Sequence, residues 1–142
     1  MKILALDLGD KWVGTAVSDP LGITCKPYQT IEVHDLIPFL QKTIPQENII
    51  TVVIGYPKTM SGGISEQTKK ITDTKKLLEK QLATINETKI SWVLWDERLS
   101  SKRAGALQNN KSDAESKKKN HSLAAAFILQ SYLDFLALNK EP

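Results

Sequence analysis

The chain alternates between short apolar runs and longer stretches of helical periodicity. Apolar and β-branched runs of about four to eight residues, bounded by turn residues, are typical of strands buried in a sheet. Pro27 lies within the third such run, which indicates an edge strand or a bulge. The predicted strands cover residues 2–6, 12–18, 23–31, 49–55 and 90–95.

Helical periodicity marks most of the remaining segments. Apolar residues recur every three or four positions there, as on the buried face of a helix, and Asp35, Ser65 and Asn120 stand where helices begin. Residues 109–120 are polar and bear several lysines, so we expect a mobile loop there. The predicted helices cover residues 36–44, 65–82, 101–107 and 120–136.

The order of these elements predicts an α/β fold, a mixed sheet with helices on its faces. Three strands come first and are joined by short turns, which predicts an antiparallel meander. Helices separate the later strands, and right-handed crossovers would place those strands parallel to one another beside the meander. The length of 142 residues fits one ordinary domain, so we predict a single domain over residues 1–142.

Composition narrows the class of protein. Hydrophobic residues make up 41% of the chain and charged residues 25%, as in an average soluble globular protein. No apolar run approaches the roughly 20 residues of a membrane span, so we expect no membrane partner. The single cysteine, Cys25, excludes an internal disulfide and fits a reducing cytoplasm. The net charge of +3 is too small to identify a nucleic-acid partner by itself.

Acidic residues follow two of the predicted strands. Asp7 comes directly after the first strand, and Asp96 and Glu97 come directly after the last. In open α/β sheets functional groups gather beyond the carboxyl ends of strands. Two carboxylates there would repel each other unless a cation lay between them. Mg²⁺ and Mn²⁺ prefer such oxygen ligands and promote phosphodiester hydrolysis.

Side-chain alternation along a strand allows only one of Asp96 and Glu97 to face such a site. Periodicity does not choose between these two residues.

Four motifs stand out in the chain. They are Asp7-Leu8-Gly9 with Gly14-Thr15-Ala16-Val17-Ser18-Asp19, Ile54-Gly55-Tyr56-Pro57-Lys58 followed by Gly62, Leu94-Trp95-Asp96-Glu97-Arg98-Leu99-Ser100, and Leu123-Ala124-Ala125 with Ile128-Leu129-Gln130-Ser131-Tyr132-Leu133. In this order they resemble the YqgF (RuvX) family over essentially the whole chain. The resemblance implies an RNase H-like fold. It also implies a cytoplasmic, metal-dependent nuclease that processes the 5′ end of pre-16S rRNA in ribosome biogenesis.

The resemblance assigns roles to three residues. Asp7 and Glu97 match the catalytic carboxylates that bind metal, so the resemblance selects Glu97 over Asp96. The third acid of the family stands at the start of the last helix, where this chain has His121. An imidazole brings no negative charge and suits softer ions, so we expect weaker metal binding and a preference shifted toward Mn²⁺. Alternatively, His121 assists proton transfer.

Basic residues cluster between Glu97 and the last predicted helix. Cations that meet phosphates supply much of the affinity for nucleic acid, so we expect this cluster to contact the substrate beside the acidic site. Arg98 is a candidate for a bidentate contact with a phosphate, and Lys58 is a weaker candidate. The cluster comprises Lys102, Arg103, Lys111, Lys117, Lys118 and Lys119.

Three other functions stay open. A structure-specific resolvase of four-way DNA junctions, acting as a two-fold dimer, is suggested by analogy of fold. His121 in place of an acid makes a non-catalytic RNA-binding factor of ribosome assembly credible. Asp7-Leu8-Gly9 with Gly14 also resembles the phosphate loop of actin-like ATPases, but these clamp nucleotide between two lobes and this chain supplies one.

We therefore expect nucleic acid as the partner. Pre-rRNA is the first expectation and structured DNA the second, with ribosomal precursor particles as a further partner. The protein is expected to be a monomer or a homodimer.

Overall fold

The computed structural model of the protein describes residues 1–56, 66–96 and 114–139. Within these ranges the strands are β1 (Lys2–Leu8), β2 (Trp12–Ser18), β3 (Cys25–Glu32), β4 (Ile49–Tyr56), β5 (Thr84–Ile85), β6 (Thr88–Lys89) and β7 (Ser91–Asp96). The α-helices are α1 (Leu36–Gln46), α2 (Glu66–Gln81) and α3 (Ala114–Leu138), and a short 3-10 turn (Val33–Asp35) precedes α1.

Five of the strands form one mixed sheet in the order β3-β2-β1-β4-β7. β1, β2 and β3 pair antiparallel, and β4 pairs parallel with both β1 and β7. The predicted meander with parallel strands beside it is confirmed. Because β1, β4 and β7 are parallel, their carboxyl ends meet at one edge of the sheet, where the strand-end acids were expected.

Side-chain alternation divides the core between the two faces of the sheet. Leu4 and Leu6 of β1 point to the face covered by α1 and α2, where they pack with Leu40 and Leu78. Ala5, between them, points to the face covered by α3 and packs against Leu129. The two faces are named below the α1/α2 face and the α3 face.

Helix α3 packs only part of its apolar surface against the sheet. Its segment His121–Leu138 has the length and apolar composition of a membrane span. However, Ala125, Ile128, Leu129 and Leu133 are buried against the sheet. Packing on the sheet accounts for these four of its 18 residues, whereas Phe135 and Leu138 near its end are exposed.

The last helix begins at Ala114, so the prediction of a mobile loop over 109–120 is wrong from that residue onward. Residues 114–120 contain one alanine, one glutamate and three lysines, which favour helix without supplying an apolar stripe. Apolar periodicity detects buried helix faces, and it therefore missed this polar first part of α3. The predicted helix over 101–107 and the start of the predicted loop lie outside the described residues.

The third strand begins at Cys25, two residues later than predicted. The Asp19 carboxylate accepts hydrogen bonds from the backbone N–H groups of Ile23 (2.7 Å) and Thr24 (3.1 Å). Gly22, in the same turn, has a φ of 71°. The turn therefore extends through Thr24, because an aspartate side chain bonds the backbone that would otherwise join the sheet. These backbone bonds, the one from Thr24 foremost, lower the pKa of Asp19.

Candidate catalytic site at the carboxyl end of the sheet

Asp7 lies one residue before the end of β1, at the carboxyl edge of the parallel strands. Alternation places its side chain on the α3 face, the same face as Ala5. The side chain is 18% exposed, so it is largely enclosed but open to small ligands. The predicted first carboxylate therefore lies where a site can form.

Gly14 lies directly opposite Asp7 on β2. A Cβ atom at Gly14 would overlap the backbone of His121 and Ser122. The helix backbone therefore comes this close to the sheet only because residue 14 has no side chain. A glycine inside a strand is the sequence signal for such an approach. Gly14 belongs to a sequence motif, but the motif did not predict this close approach of the helix.

His121 is brought to Asp7 by this approach of α3. Its Nδ1 lies 3.4 Å from the Asp7 Oδ2, although 114 residues separate them in the chain. The imidazole also lies against Gly9, where a Cβ would be 3.2 Å from its Cε1. The His121 side chain is 32% exposed. The structure thus brings together two of the three predicted catalytic residues.

The turn between β1 and β2 forms one border of the site. The Gly9 N–H donates to the Trp12 carbonyl (2.9 Å), which closes the turn beside Asp7. The Lys11 ammonium lies 5.5 Å from the centre of the Trp12 ring, a cation–π contact. A positive charge therefore stands just before the start of β2, in the turn that follows Asp7.

Asp96 belongs to the opposite face of the sheet. It pairs with Tyr56 of β4, whose ring packs in the core of the α1/α2 face. Trp95, the residue before it, lies on the α3 face and donates from Nε1 to the Ser131 hydroxyl (3.2 Å). The register of β7 with β4 therefore places the Asp96 side chain on the face opposite to Asp7, where the two cannot bind the same cation. Glu97 lies outside the described residues, and its role stays a prediction.

The predicted basic residues fall in two groups. Lys58, Arg98, Lys102, Arg103 and Lys111 lie outside the described residues. The other three, Lys117, Lys118 and Lys119, lie on the part of α3 just before His121.

Asp7 and His121 fit a shared divalent cation. Bonds from such ions to oxygen or nitrogen ligands are about 2.0–2.2 Å long, so two ligands of one ion lie within about 4.4 Å of each other. The two donor atoms here are 3.4 Å apart. The pair therefore satisfies the distance condition, with one oxygen donor and one nitrogen donor.

A second group of potential ligands lies on the surface. The His34 Nε2 is 3.0 Å from the Glu32 Oε2 and 3.6 Å from the Asp35 Oδ2. His34 is 73% exposed, so these contacts resemble ordinary surface ion pairs. Glu32 and Asp35 are thus the two acidic partners of His34.

Comparison with known families gives a match over most of the chain. A family model with the description "RuvX: Holliday junction resolvase" matches residues 1–135. A curated protein of Clostridium novyi (strain NT), named "Putative pre-16S rRNA nuclease", is 37% identical over 139 residues, which cover 94% of this chain and 98% of that protein. A protein of the same name from Clostridium tetani is also 37% identical, covering 94% of this chain and 96% of that protein.

Solved structures share the fold at low sequence identity. Thermus thermophilus RuvC in complex with a Holliday junction substrate has a TM-score of 0.61 and 10% identity, covering 98% of this chain and 96% of that one. The Fowlpox virus resolvase in complex with Holliday junction DNA has a TM-score of 0.56 and 13% identity, covering 99% and 100%. These similarities confirm the predicted resolvase-like, RNase H-like fold.

Proposed function

This chain belongs to the RuvX family, described as Holliday junction resolvase, and we propose that it is a divalent-metal-dependent nuclease that cuts precursor 16S rRNA. The contact between the Asp7 carboxylate and the His121 imidazole at the carboxyl end of β1 carries the proposal. It brings together two residues that the resemblance to the family had assigned to one catalytic site.

Asp7 and Glu97 are the proposed carboxylate ligands of the cation, and His121 lies beside Asp7. Strand alternation favours Glu97 for this role, because Asp96 directly before it is on the other face of the sheet. A bound divalent cation would activate the attacking water and stabilise the leaving oxygen. The sheet fixes Asp7 for this purpose, because β1 is hydrogen-bonded to strands on both sides.

Precursor 16S rRNA is the proposed substrate because relatives that match nearly the full chain carry that name. Lys117, Lys118 and Lys119 are proposed phosphate contacts, since they precede His121 by two to four residues, a rise of about 3–6 Å along the helix. The same role is proposed for the remaining predicted cations, which are Lys58, Arg98, Lys102 and Arg103. We place this activity in the cytoplasm, in ribosome biogenesis.

A cleavage assay on precursor 16S rRNA tests the proposal. The wild-type protein should cut the precursor near its 5′ end with Mg²⁺ or Mn²⁺. Asp7→Asn and Glu97→Gln should each lower the rate by about 100-fold or more, because the cation loses a charged ligand. Asp96→Asn is the matched control: the same isosteric change in a strand-end acid on the opposite face should leave the rate within about twofold.

Two results would contradict the proposal. Full activity of the Asp7→Asn and Glu97→Gln variants would remove the carboxylates from the mechanism. Salt-sensitive RNA binding that survives both substitutions, with no cleavage by the wild type in either ion, would instead identify a non-catalytic assembly factor.

Junction DNA is a second candidate substrate, favoured by the family description. A synthetic symmetric four-way junction should then be resolved by paired cuts, and the protein should be a dimer, because two symmetric cuts need two sites. Cleavage of the rRNA precursor by a monomer, with an intact junction under the same conditions, would exclude this candidate.

A further inference from the structure

We propose that His121 is itself a ligand of the cation and that its imidazole makes this site select Mn²⁺ over Mg²⁺. The inference rests on the proposed function and names the ion that the proposed site takes. It concerns the nitrogen donor that His121 supplies where the resembled family has its third acid.

The surroundings of His121 hold its imidazole against the carboxylate. Gly14 allows the helix backbone at His121 to approach the sheet, and Gly9 leaves room for the imidazole edge. The ring is therefore enclosed on two sides, with its Nδ1 directed at the Asp7 Oδ2. About a third of the side chain remains exposed, which lets a hydrated ion reach the pair. This arrangement presents a nitrogen and an oxygen donor without movement of the backbone.

The chemistry of the donors decides between the two ions. Mg²⁺ is a hard ion that demands oxygen ligands in a strict octahedron and gives up water reluctantly. Imidazole nitrogen suits transition metals, and carboxylate oxygen suits Mg²⁺ and Mn²⁺ alike. Replacement of one carboxylate by an imidazole also removes a unit of negative charge, which weakens the attraction of any cation. Both ions lose affinity when the charge is removed. Mn²⁺ recovers part of that affinity by binding the imidazole nitrogen, and Mg²⁺ does not.

The contact has a competing interpretation as a simple ion pair. A protonated imidazole would neutralise Asp7, and a cation would then have to displace it. In that case removal of the imidazole should raise the affinity for both ions equally. If His121 is a ligand, its removal should change the two affinities in different proportions.

Binding of Mn²⁺ alone, measured by titration and by pulsed electron paramagnetic resonance, tests the inference without any nucleic acid. The resonance experiment detects ¹⁴N nuclei coupled to the bound ion and therefore reports imidazole ligation directly. His34→Asn serves as the background for all measurements, because His34 with Glu32 and Asp35 offers a second, exposed group of ligands. His34 and His121 are the only two histidines in the chain, so this background leaves one imidazole.

The background protein should show ¹⁴N coupling and should bind Mn²⁺ at least about tenfold more tightly than Mg²⁺. His121→Asp should abolish the coupling and lower the ratio of the two affinities by about tenfold. His121→Asn should also abolish the coupling, and it provides a second variant in case the two neighbouring carboxylates of His121→Asp destabilise the fold. Asp7→Asn should weaken the binding of both ions.

Absence of ¹⁴N coupling in the background protein would overturn the inference, as would an affinity ratio that is unchanged in His121→Asp and His121→Asn. Failure of the nuclease proposal gives a different result. In that case the ¹⁴N coupling and the selectivity are present, but no precursor is cut with either ion.

Discussion

The two faces of the sheet are built on different principles. The α1/α2 face is lined by large aliphatic residues such as Leu4, Leu6 and Ile54, which bury volume against Leu40 and Leu78. The α3 face is lined at the centre of the sheet by Ala5, Gly14 and Ala16.

Small residues let the backbone of α3 approach the sheet, and this approach joins Asp7 to His121. The α1/α2 face thus supplies most of the aliphatic bulk of the core, and the α3 face supplies the geometry of the site. Substitutions on the α1/α2 face should therefore affect stability without chemistry, whereas those near Gly14 should affect both.

The largest change in stability is expected on the α1/α2 face. Leu40→Ala should lower the free energy of unfolding by about 2–5 kcal/mol, because Leu40 is fully buried and its loss leaves a cavity. Cleavage per folded molecule should stay unchanged. Chemical denaturation and an activity assay on the folded fraction measure the two effects. Leu77→Ala is the control. Because Leu77 is 48% exposed, this substitution should lower the free energy of unfolding by well under half as much as Leu40→Ala. A loss of cleavage activity per folded molecule in Leu40→Ala would show that the α1/α2 face also determines the geometry of the site.

On the α3 face, Gly14→Ala should cost about 1–3 kcal/mol and also remove most of the activity. The added Cβ would overlap the helix backbone at His121, so α3 must shift and carry the imidazole away from Asp7. Denaturation and Mn²⁺ titration measure the two effects. Gly22→Ala is the matched control, because a Cβ at Gly22 meets open space and only its φ of 71° is unfavourable. Wild-type metal binding by Gly14→Ala would show that the close approach is not needed.

The Cys25 thiol, which lies between β3 and α3, should react slowly with thiol reagents. The Cys25 thiol donates to the Ala126 carbonyl (3.2 Å) between β3 and α3. Burial, together with the nearby Asp134 charge, raises the pKa of Cys25 from 9.0 to about 11. At pH 8 the thiolate fraction, and hence the alkylation rate by iodoacetamide, should be about 100-fold below that of the denatured protein.

The same pKa shift predicts the pH dependence of stability. The folded-state pKa of Cys25 lies above the ordinary value, so its contribution to stability is fully present below pH 9 and is lost as the pH rises toward about 11. Cys25→Ser should flatten this part of the stability curve. For the alkylation of Cys25 predicted above, equal rates in the native and denatured protein would show that α3 does not cover the thiol.

The smallest expected effect lies outside both faces, in the hairpin of β5 and β6. Asn86 and Glu87 occupy its turn with φ of 48° and 68°. A two-residue turn of this kind favours glycine at the second position, so Glu87→Gly should stabilise the protein by about 0.5–1 kcal/mol. Thermal and chemical denaturation measure the change, which should leave cleavage unaffected. Glu79→Gly, inside α2, is the control and should destabilise the protein by a similar amount.

Much of the fold could be predicted because it depends on local periodicity. The strands ending near Asp7 and Asp96 and the helix that follows Ser65 were found from apolar runs and capping residues. The first part of α3 was missed, because residues 114–120 are helical without an apolar stripe. The start of β3 was also missed, because Asp19 bonds the backbone at a distance of four and five residues.

The candidate site was predicted in part. Asp7 was found from its position after a buried strand, and His121 from the resemblance to a family. Apolar periodicity could not choose between Asp96 and Glu97, and the resemblance favoured Glu97. The pairing of β7 with β4 places Asp96 on the α1/α2 face, and Glu97 lies outside the described residues, so its role stays a prediction.

By itself the sequence determined the order of the elements, the acid at the end of β1 and the imidazole near the start of the apolar part of α3. These features depend on neighbouring residues, whose periodicity and chemistry can be read along the chain. The contact of Asp7 with His121 was decided only by the tertiary structure, because it joins residues 114 positions apart. The contact requires the strand register that places Gly14 opposite Asp7. It also requires the absence of a side chain at Gly14, which lets α3 pack close to the sheet.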